Sequence, residues 1–250
     1  MQSQTPAHAL TICYLYPRQM NSYGDTGNLL VLTQRMRWRG IRSQVVRYHP
    51  GDCFPPDVDL IFGGGTQDSG QRAVASDLPR IATSLKDLIE AGTPALAVCG
   101  TYQLFGSHIV SLDGQTISGV GIFDMHTTSS QDRLVGNIII EDAELGTIIG
   151  YENHGGRTVL GLSAQPFGLI VSGAGNNGED KTEGIRYKHA IGTYLHGPLL
   201  PKNPSVADYL IQHAFEKKYQ QPLPPLEQLQ SQSIDELTTH ARGHAQARPR

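Results

Sequence analysis

Short apolar runs alternate along the chain with stretches whose apolar residues recur every three to four positions. Leu10 to Tyr16 is rich in β-branched and aromatic residues and reads as a strand. Leu29 to Arg39 places Leu29, Leu32 and Met36 on one face and stops at Gly40, which is helical spacing with a helix stop. Gln44 to Tyr48 and Leu60-Ile61-Phe62 read as two more strands, the latter ending in Gly63-Gly64-Gly65. Ala73 to Ala91 reads as one helix closed by Gly92 and Pro94, followed by the apolar run Ala95 to Val98. Strands that alternate with helices predict a mostly parallel central sheet with helices on both faces, an α/β fold.

The second half is richer in strands and glycine. Leu134 to Glu141, Thr147 to Tyr151, Leu169 to Ser172 and Ile185 to Leu195 read as strands. The polar segments from Glu152 to Arg157 and from Gly173 to Glu183 read as loops between them. Pro204 to Tyr219 reads as a late helix, broken by Pro222, Pro224 and Pro225. Residues 1–225 are expected to form a single domain. Residues 226–250 are expected to hold an amphipathic helix that frays beyond Ala241.

Composition narrows the function classes. A hydrophobic content of 38% in 250 residues supports a sizeable core. The net charge of −3 gives no general attraction for nucleic acid or an anionic membrane surface. No apolar run reaches the roughly 18–20 residues of a membrane span. Met1 to His8 lacks the basic start and apolar core of a signal peptide, so a cytoplasmic protein is expected. The three cysteines are too few for a disulfide framework and are not spaced as a zinc site. The chain has neither a G-x-x-x-x-G-K-[ST] phosphate loop nor a G-x-G-x-x-G fingerprint, so no cofactor is expected.

The candidate chemistry centres on Cys99. It follows a short apolar strand and precedes Gly100, where a helix can begin, which is the geometry of a nucleophile elbow. A thiol there is accessible, and the helix start favours its reactive thiolate form. By this feature alone Cys99 could serve a peptidase, a redox sensor or the core. His196 ends a strand-like run before Gly197-Pro198 and is the best placed of ten histidines to act as its partner. The glycines at 63–65 let a backbone N–H approach a developing oxyanion, with Gly100 supplying a second donor. Cys13 and Cys53 read as inert. His154, in Asn153-His154-Gly155-Gly156, reads as a structural histidine in a tight turn.

These motifs together resemble a class I glutamine amidotransferase domain: Cys99-Gly100-x-x-Gln103 after an apolar strand, the upstream triglycine and the downstream histidine. Gly192-x-Tyr194-x-His196-Gly197-Pro198 narrows the likeness to the cobyric-acid-synthase-like branch. Met20 to Asn28, Arg133 to Asn137, Tyr151 to Gly156 and Gly175 to Gly178 resemble the GatD family of lipid II isoglutaminyl synthase subunits. The resemblance implies Cys99 as nucleophile and His196 as its proton partner. It further implies Gly65 and Gly100 at the oxyanion hole, Gln103 in the substrate pocket and Arg133 as the substrate-binding arginine. A guanidinium fork suits the α-carboxylate of glutamine. Pro198 stands where the wider class carries a triad glutamate, two residues after the histidine. Asp25, or else Glu152, is then expected to orient His196, while Asp25 also reads as an Asx-turn residue.

The function implied is a glutaminase subunit that supplies ammonia to an ATP-dependent Mur-ligase-like partner, MurT, in a heterodimer. That partner would amidate the D-glutamate of the lipid II stem peptide to D-isoglutamine, at the inner face of the membrane. An amidotransferase for a cobyrinate-like acceptor is the alternative enzyme. A non-catalytic scaffold on the same fold is the alternative outside enzymes.

Overall fold

The computed structural model describes residues 8–66, 68–226 and 228–247. In chain order the first half carries β1 (His8–Leu15), α1 (Thr26–Arg37), β2 (Ile41–Tyr48), β3 (Leu60–Gly63), α2 (Asp68–Ala75), α3 (Leu78–Glu90), β4 (Ala95–Val98) and α4 (Gly100–Phe105). Then follow β5 (His108–Val110), β6 (Thr116–Ser118), β7 (Met125–Asp142), β8 (Gly146–Leu160), β9 (Gly168–Ser172), β10 (Thr182–Glu183), β11 (Ile185–Tyr187) and β12 (Ala190–Thr193). The chain closes with α5 (Leu199–Lys202), α6 (Pro204–Tyr219) and α7 (Gln228–Gln246).

The central sheet has the order β11-β12-β4-β3-β1-β2, and only β11 runs antiparallel to its neighbour. Its inner strands are apolar throughout, as a sheet covered on both faces requires: Leu60, Ile61, Phe62, Leu96, Val98 and Ile191 are fully buried. α1 packs on β2 and α6, α6 on β3, and α4 on β4 and β12. The mostly parallel α/β architecture follows the hydrophobic pattern.

A second sheet was not explicit in that pattern. β7 and β8 form a long antiparallel ribbon, with β5 and β9 on the other edge of β7, β6 beside β5 and β10 beside β9. Three expected elements are corrected by it and by its surroundings. The segment Glu152 to Arg157 is not a loop but the middle of β8, so His154 is a strand residue. Gly156 is tolerated there because a side chain would meet Gln103 Nε2 and, at 2.6 Å, Tyr194 Oη. The run Ile185 to Leu195 is not one strand. It folds back at Lys188-His189, with Lys188 at φ 53°, so that β11 and β12 pair antiparallel. The helix expected over Ala73 to Ala91 is two, since Pro79 removes an N–H and starts a new helix at Leu78.

The two sheets meet at the site. Tyr151 of β8 and His196 form an isolated antiparallel bridge, in which the His196 N–H donates to Tyr151 O at 2.8 Å and the Tyr151 N–H donates to His196 O at 3.3 Å. α7 is anchored through Arg35, which pairs with Asp208 and Asp235, and through Arg242, whose guanidinium donates to the carbonyl of Lys202. Among the described residues no helix is long and apolar enough to cross a membrane.

Candidate active site

Cys99 sits between β4 and α4 at φ 48°, ψ −102°, a backbone region that side chains rarely occupy. Strain of this kind costs on the order of 1–3 kcal/mol and holds only where the surroundings fix it. Here the Cys99 N–H donates to Thr193 O at 2.8 Å and the Gln103 N–H donates to Cys99 O at 2.9 Å. The strand-to-helix turn thus aims the thiol out of the sheet. The backbone N–H groups of Gly100 and Thr66 reach its sulfur.

Gly65 is the hub of the site. A Cβ on it would stand 2.9 Å from His196 Cε1, 3.1 Å from Asp25 Oδ2 and 3.2 Å from Cys99 Cβ. The thiol, the imidazole and the carboxylate therefore converge where only glycine leaves room. Asp25 is fully buried, and its Oδ2 accepts the Gly65 N–H at 2.6 Å. The turn before α1 is held instead by Asn21, whose Oδ1 accepts the Thr26 N–H at 2.9 Å. Asp25 Oδ1 and both ring nitrogens of His196 have no hydrogen-bond partner among the described residues. The His196 ring is held by its backbone bridge to β8 and by the Tyr23 ring, with centroids 4.3 Å apart. Glu152 lies elsewhere: its carboxylate accepts the N–H groups of Ala174 and Gly175, at distances from 2.8 Å.

The electrostatics set a neutral resting pair. Burial pushes the Cys99 thiol up to about 12, and the nearby Asp25 carboxylate adds to the rise. Arg133 and the N–H groups of Gly100 and Thr66 oppose it without winning. The expected thiolate is therefore not the resting form, because burial outweighs the helix start. Burial, with a smaller contribution from Arg133, pulls His196 down to about 4, which leaves it an unprotonated base. Asp25 is raised to about 6, again by burial, against the bond from Gly65.

Beside the thiol opens a cavity of about 380 Å³, large enough for an amino acid. Cys99, Gln103 and Thr66 line one side. Arg133, Asn153, His154 and Gly155 of the β7–β8 ribbon line the other. Arg133 lies across β8, donating from Nη2 to Asn153 O at 2.7 Å and from Nε to Asn153 Oδ1 at 3.0 Å. Gln103 is clamped: Gln71 Nε2 donates to its Oε1, and its own Nε2 donates to Tyr194 Oη at 3.0 Å. Among the described residues no group of three or more His, Cys, Asp or Glu could hold a metal ion.

The CobB/CobQ-like glutamine amidotransferase domain family matches residues 11–204, which contain every group described above. The chain is 44% identical over 212 residues to the GatD subunit of lipid II isoglutaminyl synthase (glutamine-hydrolyzing) of Staphylococcus aureus, covering 84% of this chain and 86% of that one. The chain belongs to the CobB/CobQ-like glutamine amidotransferase family, on its GatD branch. A second GatD relative, from Streptococcus pneumoniae, is 38% identical over 92% of this chain and 90% of its own length. A crystal structure of a glutamine amidotransferase shares the fold, with a TM-score of 0.56 at 14% identity over 81% of this chain and 98% of its own.

For a member of this amidotransferase family, two site residues, Thr66 and Gln71, went unmarked in the sequence, while Tyr23 and Tyr194 stood inside motifs that carry the resemblance without a role of their own. Thr66 offers its N–H beside Cys99, and Tyr23 supports His196. Gln71 is separated from Gln103 by a break between two helices, and Tyr194 is far away in the chain. Of the two unmarked residues only Thr66, next to the triglycine, carried a local signal.

Proposed function

We propose that this chain hydrolyses glutamine and passes the ammonia to an ATP-dependent Mur-ligase-like subunit. That partner uses it to amidate the D-glutamate of the lipid II stem peptide to D-isoglutamine. The observation that carries the reading is the convergence of Cys99, His196 and Asp25 on Gly65, facing a cavity whose opposite wall presents Arg133. Glutamine lies with its α-carboxylate at Arg133 and its carboxamide at the thiol. As Cys99 Sγ bonds to the carboxamide carbon, its proton moves to His196, and the oxygen takes up negative charge. The backbone N–H groups of Gly100 and Thr66, which reach the sulfur, receive that charge, while the Gly65 N–H expected to do so is taken by Asp25. His196 returns the proton to the leaving nitrogen, ammonia departs, and a glutamyl thioester remains. Water, deprotonated by His196, attacks the thioester carbon, and glutamate leaves as the thiol is restored.

Asp25 balances the imidazolium; the support for this is that Asp25 Oδ2 and His196 Cε1 come within 3.1 Å and 2.9 Å of one point beside Gly65. The lipid II acceptor rests on the extent of the likeness to the two GatD subunits, which spans most of both chains. The experiment is glutamine hydrolysis by Cys99→Ala, assayed with the co-expressed ligase subunit. Ammonia release is expected to vanish, and D-isoglutamine with it, while added ammonium salt restores amidation of lipid II. Undiminished glutamine hydrolysis by Cys99→Ala overturns the reading. Amidation of a corrin-type acceptor in place of lipid II overturns the choice of acceptor.

A further inference from the structure

His154 is a buried group that the reaction above does not use. It is 2% exposed and belongs to the wall of the cavity that faces Cys99. Its ring is fixed from two directions. It stacks on Tyr194 with centroids 3.6 Å apart and planes within 3°. Its Nδ1 stands 2.9 Å from Gly156 O. A carbonyl only accepts, so Nδ1 carries the proton and Nε2 presents a lone pair. That Nε2 has no hydrogen-bond partner among the described residues. A buried acceptor left without a donor is costly and calls for a ligand that supplies one.

The neighbours say which donor. Arg133 crosses the backbone on both sides of His154, bonded to Asn153 and 3.9 Å from the place of a Cβ on Gly155. A carboxylate held by Arg133 puts any substituent of its α-carbon beside His154. Gln103, on the Cys99 side of the cavity, already has its oxygen engaged by Gln71 and its nitrogen by Tyr194.

We propose that His154 Nε2 accepts a hydrogen bond from the α-ammonium group of the bound amino acid, so that Arg133 and His154 together select a free α-amino acid. This rests on the glutaminase reading above and adds a specificity residue to it. The assignment needs a neutral imidazole, since a protonated one would repel the ammonium. Burial holds His154 at about 3, well below its ordinary value, and the nearby His196, Arg157 and Arg133 push the same way. The Tyr194 stack and the Gly156 bond keep the lone pair in place without help from the substrate.

The test compares glutamine with 4-carbamoylbutanoate, the same molecule without its amino group, as substrates of the full chain assayed with its ligase subunit. The wild-type chain is expected to prefer glutamine by about ten- to a hundredfold in kcat/KM, the range of one hydrogen bond to a charged group. His154→Phe keeps a ring against Tyr194 and removes the acceptor. It is expected to lose most of that preference through a raised KM for glutamine, with turnover of the analogue little changed. Equal losses on both substrates, or an intact preference, overturn the assignment while leaving the glutaminase reading in place. The wild-type comparison stands by itself: equal use of the two substrates overturns it with no variant needed. A wild-type chain that hydrolyses neither takes both readings down together.

Discussion

The Cys99 turn and the β7–β8 ribbon build opposite walls of one cavity by different means. The turn is local: twelve consecutive residues from Ala95 to Gly106 hold a strand, a strained cysteine and a short helix. The ribbon is non-local: Arg133 and His154 come from strands paired across a register shift between Ser129 and Leu134. In the proposed reaction the turn carries the reacting atoms. We propose that the ribbon carries recognition; through the Tyr151 bridge it also holds the backbone of His196. Changes at the turn should therefore lower turnover, and changes on the ribbon should weaken binding.

The largest effect is expected at the hub. Gly65→Ala drives a methyl group toward His196, Asp25 and the Cys99 Cβ together. Its glutaminase kcat should fall by about 10²- to 10³-fold, comparable to loss of one oxyanion donor. KM should change little, because the ribbon wall is untouched. Steady-state kinetics separates the two, and a pure KM effect would break the division between the walls.

Arg133→Gln comes next. It removes the charge that faces the cavity while keeping a side chain able to bond Asn153. KM for glutamine should rise by about ten- to a hundredfold, the worth of a charged hydrogen bond, with kcat within a fewfold. Loss of kcat alone would mean that Arg133 acts on the chemistry, through its effect on Cys99 and His196, rather than on the substrate.

The smallest effect sharpens the role of Asp25. Its carboxyl titrates at about 6 and His196 at about 4, so two groups could set the acid limb of the pH profile. Below pH 6 Asp25 gains a proton and no longer balances the imidazolium that forms during attack. Wild-type kcat/KM should therefore fall as pH drops through about 6. Asp25→Asn should be slower by roughly ten-fold at neutral pH, in line with removal of a hydrogen-bonded charge near the reacting groups. Its acid limb should move down toward 4, where His196 itself is protonated. A limb that stays near 6 in Asp25→Asn assigns it to another group.

The same comparison explains what could be read from the sequence. Cys99, the triglycine and His196 sit at ends of short apolar strands, where the chain changes direction and composition marks the change. The ribbon left no such mark. Asn153-His154-Gly155-Gly156 has the composition of a turn, yet Gly156 is there to let Gln103 and Tyr194 approach the strand. Only the tertiary neighbours show that, so the segment reads as a loop until its partners are known. The thiolate expected from the helix start fails for a related reason. The Gly100 N–H does favour it, but the burial that outweighs this comes from residues distant in sequence. Asp25 was legible as a polar residue in a glycine-rich loop, while its bond to Gly65 spans 40 positions.

The central claim is that Cys99 is the nucleophile for a glutamine side chain, and a glutamine-like electrophile tests it most directly. Treatment with 6-diazo-5-oxo-norleucine followed by peptide mass spectrometry should find one adduct, on Cys99, formed in step with loss of glutaminase activity and slowed by glutamine. Cys13, buried in β1, and the exposed Cys53 should stay unmodified. An adduct on Cys53, or glutamine hydrolysis that continues with Cys99 fully modified, would contradict the account.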